Sequence, residues 1–345
     1  MKKIVLAVAL IALAAAAGLA LWPEDPVTAR WQDYLTRLER LTRQPVPPPS
    51  ALDLRPYPGN AVLRRPLPDL RTGLLNYLAL RHCDLMSLVS ERNSALGKLR
   101  AASLRLDYEL TFIQRGERCL AQDKLEDPAL IALLERTLAV KRDSLGDLLW
   151  NATWAGDELR GFLNQSPGPA GDPGPGLEAL GGLASAGRAL RATPTPDALP
   201  KLERHLAALA GGAAGGALLR EVAAARVALE QALSMLQALD EDGLCPRGRA
   251  SQRARHLRNL LDSVYGEDVQ PYLADLDRHR RRLDDRLRAL RAVSSGANPA
   301  LGQWLAHYFG PRGQAARLDQ ALRAHTERWQ TVLGACGLMP GAPER

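Results

Sequence analysis

Apolar residues recur at three- and four-residue steps along most of this chain, a period that predicts helices rather than strands. Trp31, Tyr34, Leu35, Leu38 and Leu41 stripe a short helix from Thr28 to Arg43. Leu85, Val89, Leu96 and Leu99 stripe the first arm of a hairpin over 69–122, and Leu104, Tyr108, Phe112 and Cys119 stripe the second. Gly97 suits the end of the first arm and Ser103 the start of the second. A long helix is expected from Pro128 to Leu163, on Leu134, Leu138, Leu145, Leu148, Ala152, Ala155, Leu159 and Phe162. Further helices are expected near 177–191, 198–239, 249–293 and 298–335. The glycines between Gly211 and Gly216 weaken the second of these, and Pro271 should kink the third at Gln270. Alternating strand patterns and solenoid-period repeats are absent, so the expected fold class is all-α: long antiparallel helical hairpins forming an elongated bundle.

Breaks in the pattern divide the chain. Met1-Lys2-Lys3 precedes an unbroken apolar run from Ile4 to Trp22, so 1–22 reads as a signal peptide or a retained membrane anchor. Small residues permit cleavage after Ala17 or Ala20. The two lysines hold the start in the cytoplasm and the remainder is exported, to the periplasm or tethered to the inner membrane by a single N-terminal contact. Residues 23–68 read as a tether, a short helix followed by eight prolines from Pro45 to Pro68 that favour an extended path. Residues 69–165 form an N-terminal helical half, 166–176 a Pro/Gly linker, and 177–345 a C-terminal helical half.

Composition narrows the classes. The 345 residues are 46% hydrophobic and 24% charged, which is globular, and one long apolar run excludes a multi-span membrane protein. The net charge is +7, or +5 without Lys2 and Lys3. Outside the cytoplasm nucleic acid is no partner, and a basic excess suits an acidic wall polymer, a lipid surface or an envelope protein. A solvated basic surface is the plainer account.

Four cysteines in an exported chain point to disulfides. Cys83 and Cys119 average to position 101, close to the centre of the turn expected between Gly97 and Ser103, so they face each other across the hairpin. Cys245 and Cys336 flank the second long hairpin and could close its far end. The alternative is buried free thiols. No Cys-x-x-Cys is present, which excludes a zinc ribbon or a thioredoxin-type site.

Arg92 falls on the stripe between Val89 and Leu96, where an aliphatic residue is expected. The same mirror relation sets it opposite Glu109, beside Tyr108. A buried charge needs a partner, so an Arg92–Glu109 pair is expected, either as a clasp that fixes register or, with Asn93, as a binding pocket. Ser94 and Lys98 share a helix face, but nothing supplies an oxyanion hole for a serine–lysine dyad. None of the six histidines pairs with another at helical spacing, so no metal site and no cofactor are expected. His279 lies near the Leu276–Leu283 seam. Arg278 and Arg280 to Arg282 form a basic cluster beside Asp284 and Asp285, with Arg281–Asp285 an i,i+4 pair in the reversed, weaker order. Trp304, Tyr308 and Phe309 are assigned to the core by default, with a rim pocket as the alternative.

His82-Cys83, the run Glu91-Arg92-Asn93-Ser94-x-Leu96-Gly97-Lys98, Leu106-x-Tyr108-Glu109-Leu110 and Cys119-Leu120 together resemble an uncharacterised bacterial family of exported, mostly helical proteins. Many of its members are lipoproteins, with a lipidated Cys after the apolar run. This chain has no Cys there. The resemblance implies a location and no activity. The function expected from the sequence is therefore a non-enzymatic helical interaction or scaffold protein of the cell envelope, with no catalytic residue assigned. A periplasmic ligand-binding protein with a pocket at Arg92, Asn93, Tyr108 and Glu109 is the alternative. A wall-polymer hydrolase using carboxylates such as Glu91 and Glu109 is a third reading.

Overall fold

The computed structural model describes residues 26–68, 70, 80–94, 101–165, 171–294 and 296–339. The apolar run over 1–22, the expected turn with Leu96, Gly97 and Leu99, and residues 166–170 of the Pro/Gly stretch lie outside these residues. The described residues form helices and no strand, so the fold is all-α.

In chain order the helices are α1 (Pro26–Thr42), α2 (Asn60–Leu63), α3 (Met86–Asn93), α4 (Ala102–Ala121), α5 (Pro128–Asp143), α6 (Leu145–Thr153), α7 (Asp157–Phe162) and α8 (Gly174–Ala192). Then follow α9 (Leu199–Ala210), α10 (Ala214–Gln237), α11 (Glu241–Leu244), α12 (Gln252–Leu260), α13 (Gln270–Val293), α14 (Pro299–Phe309) and α15 (Gln314–Ala335). A π segment, Leu261–Val269, joins α12 to α13.

The single helix expected over 128–163 is three. Pro128 opens α5, and the Asp127 carboxylate accepts from Ala129 N–H at 2.8 Å, a standard cap. Ser144 and Thr153 then turn their hydroxyls back onto Val140 O and Leu149 O, at 2.7 and 2.8 Å, a bond that bends helices. Gly156 precedes the fresh start at α7. The helix expected over 198–239 breaks at Gly211 and Gly212. Pro271 acts upstream of itself: it cannot donate four residues back, and in the preceding segment Gln270 N–H reaches Tyr265 O, five residues back. The stripe of α4 is wider than expected and begins elsewhere: Phe112 and Cys119 are buried as expected and Leu104 is 43% exposed, while Leu106, Glu109, Leu110 and Ile113 are buried beside them.

The chain forms two compact units. Unit one comprises 1–50, 227–273 and 321–345, and unit two comprises 51–226 and 274–320, so both flanks of the Pro/Gly stretch belong to unit two. In unit one, α1 lies against α12 and the π segment and buries Trp31, Tyr34, Leu35 and Leu38. Cys245 and Cys336 are bonded there, with Cα atoms 5.2 Å apart.

In unit two, the proline-rich stretch has no ladder partner, and side chains satisfy its backbone instead. Arg55 N–H donates to the Tyr308 hydroxyl at 2.7 Å, while Arg55 O accepts from the Tyr308 hydroxyl at 2.8 Å and from Trp304 Nε1 at 3.1 Å. Gln314 Nε2 donates to Asp53 O at 2.7 Å. Trp304 and Tyr308 are buried, as the sequence expects for them. A separate core gathers around the second disulfide, Cys83–Cys119, whose Cα atoms are 5.1 Å apart; Leu85, Phe112, Ile113, Leu130, Leu134 and Leu138 pack beside it. Both expected bridges therefore form, and no cysteine is free.

Candidate functional site

The site is built on two facing stripes, each carrying one ionisable residue at a core position. On α4 the buried positions Leu106, Glu109, Leu110, Ile113 and Gly116 make one face. On α5 they are Leu130, Leu134, Leu138 and Lys141. The helices approach closely at Gly116, where a Cβ would stand 2.8 Å from Leu138 Cδ2. That approach brings Lys141 Nζ onto Glu109 Oε2, a buried hydrogen-bonded ion pair.

The other Glu109 oxygen lies 3.4 Å from Nε of Arg105, one turn earlier on α4. Lys141 Nζ also sits 4.3 Å from the Phe112 ring centre and 5.0 Å from that of Tyr108, where the ring faces attract a cation. Burial pushes the Lys141 ammonium below its usual range, with Arg105 and Arg92 adding to the shift and Glu109 opposing it. Burial likewise raises the Tyr108 hydroxyl well above the usual tyrosine range, so it stays a neutral donor.

These groups line a cavity of about 170 Å³ in unit two. Its apolar lining includes Leu67, Leu80, Val89, Phe112, Leu130, Leu133, Leu134, Val140 and Leu148, and its polar lining includes Arg92, Asn93, Arg105, Tyr108, Glu109 and Lys141. The four residues singled out from the sequence, Arg92, Asn93, Tyr108 and Glu109, all line this cavity. The expected Arg92–Glu109 partnership is corrected. Glu109 is held by Lys141 and Arg105, because α5 supplies a cation at the level of Glu109, while Arg92 stays half-buried near the end of α3. Lys141 and Arg105 were missed. The signal for Lys141 was present, since it continues the Leu130–Leu134–Leu138 stripe by three residues, as Arg92 interrupts its own.

Other expected features have plainer settings. Ser94 Oγ donates to Glu91 O at 2.7 Å, and Lys98 lies outside the described residues. The basic cluster on α13 is internally neutralised. Arg278 meets Asp275 at 2.8 Å, Arg282 meets Glu178 at 2.5 Å, and Arg280 is buried between Asp277 and Asp319. Arg281 pairs with Asp277 at 2.8 Å, acid before base, rather than with Asp285 in the weaker order. His279 Nδ1 is 3.2 Å from Asp275. Among the described residues no three His, Cys, Asp or Glu side chains are grouped to hold a metal ion.

Among the described residues no single helix is long and apolar enough to cross a membrane. One bent pair, Pro196–Ala210 with Ala214–Gln237, has the length and composition, but Leu202, Leu206, Leu209, Leu219, Val222 and Leu229 on it are buried in the fold. A family model described as a protein of unknown function (DUF3080) matches residues 31–340. No curated protein and no solved structure matches the chain.

Proposed function

This chain belongs to the DUF3080 family, and from that premise and the geometry above we propose that it is an exported, non-catalytic binding protein that takes a small molecule in the cavity of unit two. One observation carries the reading: a cavity with an apolar wall and a cluster of convergent polar groups, including a buried ion pair on facing core stripes. It favours binding over the scaffold role expected from the sequence, which names no such site. It also disfavours the hydrolase reading, because Glu109 is engaged by two cations and Glu91 is exposed. Export is supported by the pairing of all four cysteines, since disulfides persist in oxidising compartments.

Binding is tested on the full chain by methyl NMR. Equimolar decanoate or decanol is expected to shift the Val89, Leu133 and Val140 methyl resonances, and Leu133→Trp, which fills the cavity, is expected to abolish the response. If no apolar, anionic or cationic small molecule moves these methyls in the folded protein, the reading falls. Intact mass of the chain recovered from its own cells tests export. Loss of the first 17–20 residues or recovery in the membrane fraction, with four hydrogens missing in either case, agrees with it; a soluble, full-length, reduced chain contradicts it.

A further inference from the structure

Resting on that reading, we infer that the ligand is an amphipathic anion, a carboxylate or phosphate carried on an apolar body, with its charged end among Arg92, Arg105 and Lys141. Among the described residues three cations, Arg92, Arg105 and Lys141, and one carboxylate, Glu109, line the cavity, an excess of two positive charges beside apolar side chains. Glu109 is already divided between Lys141 and Arg105. Among the described residues no carboxylate lies within ion-pair distance of Arg92. Arg105 Nε is sealed from solvent and makes no hydrogen bond, although Glu109 is near. A buried donor without an acceptor is costly. A carboxylate or phosphate oxygen accepts from the Arg105 Nε donor and pairs with Arg92, in the forked geometry that arginine favours.

The apolar end is equally specified. Leu130, Leu133 and Leu134 lie seven to eleven residues before Lys141 on α5, so about 16 Å of helix separates Leu130 from the charged end. The cavity, at about 170 Å³, is a little larger than the cavities of roughly 150 Å³ that enclose a benzene ring. A free anion would leave this apolar wall unused, a neutral chain would leave the cations unanswered, and a cationic amphiphile would be repelled.

The test is calorimetry on the folded full chain with decanoate, decyl phosphate, decanol, decyltrimethylammonium and inorganic phosphate, each below its micelle concentration. Decanoate or decyl phosphate is expected to bind one to one, at least about tenfold tighter than decanol. Decyltrimethylammonium should give no binding heat. Arg92→Gln should weaken decanoate and decyl phosphate several-fold more than it weakens decanol; equal weakening of all three overturns the anion inference. Preference between decanoate and decyl phosphate separates a fatty-acid source from a phosphate headgroup. If decanol equals the anions, or the cationic probe binds, the anion inference is overturned and the cavity reading stands. Inorganic phosphate binding as tightly as decyl phosphate overturns the amphipathic part. If none of the five binds, both readings fail together.

Discussion

At the residue scale, the informative positions are charges standing where a stripe calls for an aliphatic side chain. Arg92 was legible in this way, Glu109 only as the residue mirrored opposite it, and Lys141 was legible by the same rule once Leu130, Leu134 and Leu138 are read as one face. What periodicity could not say is which charge meets which, because that depends on helix rotation and on the approach permitted at Gly116. The pairing found has a measurable consequence. Lys141→Met leaves the buried Glu109 with Arg105 alone and should lower unfolding free energy by about 3 kcal/mol or more, whereas Glu109→Leu/Lys141→Met should recover most of the loss. Equal destabilisation of the single and double variants in urea titrations would show that the pair is not the coupled unit described.

A second residue, His325, was unremarkable in sequence and is fully buried in unit one. Trp329 Nε1–H can only donate, and it lies 3.2 Å from His325 Nε2 and 3.1 Å from the Tyr34 oxygen. Nε2 lies 2.7 Å from the Tyr34 hydroxyl, and Nδ1 has no hydrogen-bond partner. Burial holds this imidazole down to a pKa of about 3. An unfolded histidine protonates near pH 6.5, so between these values the unfolded chain binds one more proton and stability falls as pH falls. The slope due to His325 should approach about 1.4 kcal/mol per pH unit below pH 6.5. It is measured as the difference between wild type and His325→Gln in urea unfolding from about pH 6.5 to 5. Parallel curves would contradict the assignment.

At the element scale, the helical content was legible and the breaks were partly so. The glycines at 211–216 were expected to weaken a helix, and Gly211 and Gly212 do end one. Gly215 and Gly216 act differently: they let the first turn of α10 press on the end of α7. A Cβ at Gly215 would stand 2.5 Å from Phe162 Cε1, and one at Gly216 would stand 1.8 Å from the Asn164 carbonyl oxygen. A side chain can move aside, whereas a backbone carbonyl cannot without shifting the segment. Gly216→Ala should therefore cost about 3 kcal/mol or more, while Gly161→Ala on α7, with nothing within 4 Å of its Cβ, should be neutral or stabilise by up to about 1 kcal/mol. Equal thermal midpoints for the two variants would refute the close approach. The same distinction explains why the sequence could not sort these glycines, since composition marks flexibility and close packing alike.

At the scale of the whole molecule, each unit is assembled from separated stretches of chain, and local periodicity carries no information about which distant stripes meet. The Pro/Gly stretch was the strongest sequence break, yet the helices on both its flanks belong to one unit. The cysteines carried the long-range information that the stripes lacked. Cys83–Cys119 closes a separation of 36 residues within unit two, and Cys245–Cys336 closes one of 91, tying two of the three segments of unit one. On the loop-entropy account the longer bridge contributes about 4–5 kcal/mol and the shorter about 4, before any change in packing. Segments far apart in sequence also meet slowly during folding, so the longer bridge has the larger kinetic role. Cys245→Ala/Cys336→Ala should refold more slowly than wild type and lose hydrogen-exchange protection in α12 and the second half of α15. An unchanged refolding rate together with unchanged protection there would mean that the helical packing of unit one assembles its segments without the bridge.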